Sequence, residues 1–196
     1  MIDAAFSLRR GNLNIHFTMK DEGVIFLTGS NGSGKTSSLL TLAGFLKPNE
    51  GGFIILNGRE ISSLPASKRK VVYIDQNSYF RSLPVGEHIR IVGKRSFDTE
   101  TVLRELSLDP YEKVGALSQG NRMRVSILTA LSSGCELLLL DEVLSNISNA
   151  RLFTQTVREL LGELNVDTII ASPDVTSGVE TDHLYRMEKG VLTRIY

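Results

Sequence analysis

Gly29-Ser30-Asn31-Gly32-Ser33-Gly34-Lys35-Thr36 decides how this chain is read. A glycine is followed by four residues and then by Gly-Lys-Thr. The apolar run Val24-Ile25-Phe26-Leu27 precedes the stretch, and Leu39, Leu40 and Ala43 follow it at helical spacing. Strand, glycine-rich turn and helix in that order make a phosphate loop. Glycines let successive backbone N–H groups curve around oxygens with no Cβ in the way. The helix opening near Lys35 adds the positive end of its dipole. Lys35 then reaches the outer phosphates of a nucleotide, and the Thr36 hydroxyl is suited to ligate Mg²⁺.

About one hundred residues further on, Leu137-Leu138-Leu139-Leu140-Asp141-Glu142 puts two carboxylates at the end of an apolar strand. In open α/β sheets ligands gather at that end of the strands. Asp141 is the expected Mg²⁺ partner of the loop. Glu142 is the expected general base for an attacking water.

The remaining sequence supplies the frame. Ile2–Leu8 and Leu13–Met19 read as a hairpin around Arg9-Arg10-Gly11-Asn12. Phe53–Leu56, Val71–Ile74 and Thr168–Ala171 read as strands, and the chain closes on two more near His183–Met187 and Val191–Ile195. Helices are expected after Pro84, after a cap at Asp98 or Thr99, after a cap at Ser118, and over roughly Ala150–Leu164. Strands alternating with helices argue for an α/β fold with a mainly parallel sheet.

Composition narrows the function. The chain has 196 residues, and 41% of them are apolar. Counting glycine and leaving out tyrosine gives ~47%, within the range of globular proteins. Lys+Arg and Asp+Glu are 22 each, so the net charge is zero. There is no basic excess of the kind nucleic acid demands, and no nucleic-acid partner is expected. The single cysteine, Cys135, allows neither an intrachain disulfide nor a zinc cluster and reads as a small buried hydrophobe. His16, His88 and His183 show no metal-ligand spacing. Lys68-Arg69-Lys70 reads as a solvated face before a strand. No apolar stretch is long enough to span a bilayer, and the first residues do not read as a signal peptide.

Leu117-Ser118-Gln119-Gly120-Asn121-Arg122, just before the acidic strand, brings in a family. Here the chain resembles the ATP-binding subunits of ABC transporters, whose signature reads Leu-Ser-Gly-Gly-Gln. Leu117, Ser118 and Gly120 match; Gln119 and Asn121 depart. The resemblance covers essentially the whole chain. It implies a P-loop NTPase (RecA-like) core with an N-terminal antiparallel β subdomain and a short inserted helical subdomain near residues 77–133, all within one domain, 1–196. It implies ATP and Mg²⁺ as ligands, bound by Gly29 to Thr36 with Ser37. Ser118, Gln119 and Gly120 would meet the ATP held by a second subunit, so that a homodimer or heterodimer sandwiches the nucleotides. Gln76 resembles the glutamine that touches Mg²⁺ and the attacking water, and Phe6 resembles the aromatic that stacks on adenine.

The same resemblance implies an ATPase that drives a separate integral membrane permease from the cytoplasmic face of the cell membrane. The short arm resembles that of compact export-type subunits. Two further departures, at the end of one strand and in the loop after Glu142, matter. Pro173 stands where a switch histidine is usual, and proline has no side-chain donor. Ser148 stands where an aspartate is usual, with Val143 in place of a proline. A nucleotide-gated module that hydrolyses weakly, or a soluble ABC ATPase in assembly work, are the alternatives.

Overall fold

The computed structural model describes residues 1–49, 51–93, 98–143, 158–174 and 180–196. Ser148 and most of the helix expected over Ala150–Leu164 lie outside them; residues 158–164 are helical. The described strands are β1 (Ile2–Arg10), β2 (Leu13–Asp21), β3 (Val24–Thr28), β4 (Phe53–Leu56), β5 (Arg59–Glu60), β6 (Val71–Ile74), β7 (Leu137–Asp141), β8 (Asp167–Ser172), β9 (His183–Glu188) and β10 (Val191–Arg194). The helices are α1 (Lys35–Ala43), α2 (Val85–Arg90), α3 (Thr99–Glu105) and α4 (Gln119–Ser132).

The strands form one sheet in the order β5-β4-β1-β2-β10-β9-β3-β8-β7-β6. From β9 to β6 every pairing is parallel, whereas β1, β2, β4 and β5 pair antiparallel. The central strands β3 and β7 are near-continuous apolar runs buried throughout, as strands covered on both faces require. Alternate residues of the parallel strands divide two cores. Ile25, Leu27, Leu137, Leu139 and Ile169 face α1 and the antiparallel strands, packing with Leu39, Leu42 and Phe17. Phe26, Leu138, Leu140 and Ile170 face the other way, against Ile89, Leu103, Met123 and Leu131 of α2, α3 and α4.

Register decides where the chemistry sits. Thr28 pairs with Ser172, Asp141 with Ala171, and Ile74 with Leu140. The carboxyl ends of four parallel strands therefore lie level, and the chain leaves them at Gly29, Glu142, Pro173 and Asp75.

The expected caps are present. The Asp98 carboxylate accepts from Thr101 N–H at 3.1 Å and the Ser118 hydroxyl from Asn121 N–H at 3.3 Å. Arg69 corrects the reading of Lys68-Arg69-Lys70 as a solvated face. Only 3% of it is exposed. Its guanidinium donates to the carbonyls of Thr41 (2.9 Å) and Leu42 (3.1 Å) at the end of α1, and to those of Leu64 (2.8 Å) and Ser62 (2.7 Å). A buried cation thus closes the negative end of α1 and ties it to the segment entering β6. Gly44, in the left-handed region at φ 87°, makes room: a Cβ there would lie 2.6 Å from Arg69 Nε.

His88 ties α2 to α4 and to the segment after β6. Its Nε2 accepts from Phe80 N–H at 2.9 Å, and its Nδ1 lies 2.7 Å from Thr129 Oγ1. The Thr129 hydroxyl already donates to the Val125 carbonyl at 2.8 Å. The network thus assigns the ring proton to Nδ1 and makes the imidazole neutral. Ser126 Oγ adds a bond to the Ser78 carbonyl at 2.6 Å.

Replacing Arg69 by alanine takes the guanidinium from four carbonyls, of which only that of Thr41 keeps a backbone donor among the described residues, Gly44 N–H. The change is expected to cost about 3 kcal/mol in urea unfolding, with lysine restoring only part. Burial lowers the His88 pKa from its ordinary 6.5, so the unfolded chain binds the extra proton first. The stability from neutral His88 is complete above about pH 6.5 and is lost as pH falls toward the lowered folded value. Denaturation curves at pH 7.5 and 5.5 are expected to differ less for His88→Gln than for the unaltered chain.

Candidate functional site

Glycine sets the path of the loop between β3 and α1, which is closed by Ser33 N–H donating to the Ser30 carbonyl at 3.1 Å. Gly29, Gly32 and Gly34 have φ of 148°, 77° and 113°. At Gly29 any Cβ would strike the Met187 carbonyl of β9, and at Gly34 it would press on Ile15 and Met187 at 3.1–3.2 Å. The β9–β10 turn braces the loop from outside, with Gly190 N–H donating to the Ser33 carbonyl at 3.0 Å.

Lys35 opens α1 and is 4% exposed. Its Nζ donates to the carbonyls of Gly29 at 2.6 Å and Ser30 at 3.2 Å. Burial lowers its pKa, while the carboxylates of Glu142 and Asp141 act the other way. Beside it lies a cavity of about 350 Å³ lined by Asn31, Gly32, Gly34, Lys35, Thr36, Ser37 and Glu142, together with Arg10 and Leu13 from the β1–β2 turn.

Asp141 is 6% exposed at the end of β7. Its Oδ2 accepts from the Tyr73 hydroxyl at 2.8 Å, and its Oδ1 is buried with no hydrogen-bond partner among the described residues. Burial and the Asp141 carboxylate raise the Tyr73 pKa, so the phenol stays protonated. The next residue, Glu142, sits in the left-handed region at φ 57°. That conformation costs roughly 1–2 kcal/mol for a residue with a Cβ. It is pinned by Glu142 N–H donating to the Ala171 carbonyl at 2.9 Å, and it turns the chain so that Glu142 lines the cavity.

Gln76 follows β6. Its Nε2 donates to the Glu142 carbonyl at 3.4 Å, and its Oε1 accepts from Gln119 Nε2 at 3.3 Å. Ser118, Gln119 and Gly120, at the start of α4, are not among the described residues that line this cavity; the Gln119 side chain reaches Gln76. Pro173 lies at the end of β8 with its carbonyl accepting from Thr28 Oγ1 at 3.0 Å.

Phe6 requires a correction. The expectation put it against adenine, but it is 6% exposed and its ring stacks on Phe17 with centroids 4.8 Å apart. A Cβ at Gly52 would lie 2.8 Å from the Phe6 Cβ, so that flank is closed as well. The pleat explains the outcome: Phe6 and Phe17 are direct cross-strand partners on the core face. Arg10 and Leu13 reach the cavity in its place. Sequence reading passed over both because a turn arginine and a strand-end leucine carry no signal of their own.

A larger cavity, about 590 Å³, lies at the opposite edge, lined by Gly23, Asn57, Arg158, Asp167 and Asp182 among others. Its charges are already used: Asp182 pairs with Arg158 and accepts from Val24 N–H at 2.8 Å, and Asp167 accepts from Gly23 N–H at 2.7 Å. It lies away from the loop and from both acidic residues.

Comparison with known proteins agrees with this geometry. The family model described as ABC transporter matches residues 13–145. The molybdenum import ATP-binding protein ModC of Rhodobacter capsulatus is 36% identical, over 97% of this chain and 57% of its own length. The molybdate/tungstate import ATP-binding protein WtpC of Pyrococcus abyssi is 32% identical, over 78% of this chain and 46% of its own. Among solved structures, a putative ABC transporter ATP-binding protein from Pyrococcus furiosus superimposes with a TM-score of 0.76 at 25% identity, over 95% of this chain and 98% of that one. The chain spans about half the length of these two curated relatives. Both are named as import proteins, so the expectation of an export type finds no support in them. With its phosphate loop, acidic strand end and parallel sheet matched along their length, the chain belongs to the ABC transporter family as an ATP-binding domain.

Proposed function

We propose that this chain binds and hydrolyses ATP as the motor part of an ABC transporter, and that ATP-driven pairing of two such domains moves a separate membrane permease. The observation that carries the reading is the cavity at the level carboxyl ends of the sheet. It brings the glycine-rich loop, Lys35 and Glu142 together although more than one hundred residues of sequence separate them. The names of the relatives support import as the direction.

The roles follow from chemistry. Backbone N–H groups of Gly29 to Thr36, with Ser37, cradle the phosphates. Lys35, already donating to two loop carbonyls, exchanges them for phosphate oxygens. Arg10 and Leu13, not Phe6, wall the cavity on the side of the β1–β2 turn and bear on the base; a guanidinium plane stacks on a purine as an aromatic ring does. Glu142 takes the proton of the attacking water, and Gln76, hydrogen-bonded to the Glu142 backbone, orients that water.

The residues present fit Mg²⁺. The buried Oδ1 of Asp141 is a carboxylate oxygen with no hydrogen-bond partner among the described residues, and oxygen ligands of this kind suit a hard cation. Asp141, Thr36 and Gln76 would hold it. When bound, the metal neutralises charge on the phosphate oxygens.

Ser118, Gln119 and Gly120 stand outside their own chain's cavity and are free to complete that of a second subunit. The helices of residues 77–133 are the natural arm for contact with the permease, so the domain works peripherally at the cytoplasmic face of the membrane. Among the described residues no helix is long and apolar enough to cross a membrane. Pro173 offers no imidazole to the γ-phosphate. A nucleotide-gated module with little turnover is the second reading, and Pro173 is the observation that favours it.

Two substitutions test the proposal. Lys35→Ala is expected to weaken ATP binding at least tenfold in equilibrium titration; tight binding by this variant would remove the phosphate-loop assignment. Glu142→Gln is expected to lower ATP turnover at least a hundredfold while ATP-dependent dimerisation, followed by light scattering, survives. Turnover at background in both the unaltered chain and Glu142→Gln, with dimerisation intact, would instead select the gated module.

A further inference from the structure

We propose that Tyr73 is a positioning residue for the metal: its hydroxyl fixes the plane of the Asp141 carboxylate, so that one oxygen is held by the phenol and the other is left for Mg²⁺. The proposal rests on the ATP and Mg²⁺ reading above.

The argument begins with register. Tyr73 on β6 pairs with Leu139 on β7. Asp141 is two residues beyond Leu139, so Tyr73 and Asp141 share one face of the sheet as diagonal neighbours. Such neighbours lie about 7–8 Å apart at the backbone, a gap that a long aromatic side chain spans. A slip of one residue would send Tyr73 to the other face and break the contact.

The shared face is the one covered by α1, where Leu137, Leu139 and Leu39 pack and Tyr73 joins them half-buried. The ring is also held from the side by Phe45, edge to face, with centroids 6.4 Å apart. The hydroxyl meets Asp141 Oδ2 at 2.8 Å. An ionised carboxylate only accepts, so the phenol is the donor and its proton lies on the side of Oδ2.

The consequence is an asymmetric carboxylate. Oδ2 is engaged, while Oδ1 is buried and has no hydrogen-bond partner among the described residues. Turning the carboxylate plane away from this setting would break the tyrosine bond. Tyr73 therefore holds Asp141 in one orientation before any ligand arrives. Partners of this kind, behind a ligating side chain, commonly change metal affinity 10–100-fold when removed. The chain reaches Gln76 three residues later, so β6 carries the residue that orients Asp141 and leads directly into one that would ligate the metal.

Tyr73→Phe keeps the ring and its packing and removes only the hydroxyl. Mn²⁺ binding to the ATP-loaded protein, read by electron paramagnetic resonance, is expected to need about tenfold more metal for half-saturation. ATP affinity measured without metal is expected to stay within about twofold, as is kcat at saturating Mg²⁺. In an Asp141→Asn background, Tyr73→Phe is expected to add nothing, because the two changes remove one interaction. An unchanged Mn²⁺ half-saturation overturns the proposal alone. An additive loss in the Asp141→Asn background also overturns it and assigns Tyr73 to packing. Failure of the unaltered chain to bind ATP in a metal-dependent way overturns the reading of the site, and this proposal with it.

Discussion

Gly190 holds the phosphate loop from outside, and the site is built on that contact. Its N–H donates to the Ser33 carbonyl at 3.0 Å, and its carbonyl accepts from His16 N–H at 2.7 Å. The residue has φ 84°, and any side chain on it would strike the Asn14 carbonyl. A loop that aims most of its N–H groups at a ligand has few left to hold its own shape; here Ser33 N–H donates to the Ser30 carbonyl. Its carbonyls must then be fastened by neighbours. Gly190 fastens Ser33, and the Lys35 ammonium fastens Gly29 and Ser30. One tie comes from the far end of the chain and the other from the helix that the loop opens.

The sheet turns these local ties into a site. Parallel strands in level register bring four chain reversals to one edge, and two of them deliver Asp141-Glu142 and Gln76. The polar contacts at that edge form a relay: Gln119 donates to Gln76, and Gln76 to the Glu142 backbone. The segment after β6 is in turn fixed to α4 through Ser126 and to α2 through His88. The start of α4 and the acidic strand end are thus connected by hydrogen bonds within one chain.

Much of this was legible beforehand, for reasons that differ by residue. The phosphate loop could be read because its chemistry demands glycines at fixed spacing between a strand and a helix. Asp141 and Glu142 could be read because an unbroken apolar run ending in two carboxylates has few other uses beside such a loop. Phe6 failed because the sequence shows an aromatic residue but not the face of the strand that its partner Phe17 imposes. Arg69 failed because a basic tripeptide looks solvated until four carbonyls are seen to converge on its middle residue. Arg10, Leu13 and Tyr73 carried no local signal, since what each lines or touches lies distant in sequence.

The sequence by itself determined the elements and the identity of the chemistry: an α/β chain, a phosphate loop, an acidic strand end and a capped helix at Ser118. These depend on local rules, in which glycine permits positive φ, apolar runs bury and hydroxyls cap. Only the tertiary structure decided which side chains meet. Strand order and register placed Tyr73 beside Asp141, Gly190 under Ser33 and Arg10 at the cavity, and withdrew Phe6 into the core. The physical reason is that side chains alternate across a sheet, so what a strand residue touches depends on the strand beside it.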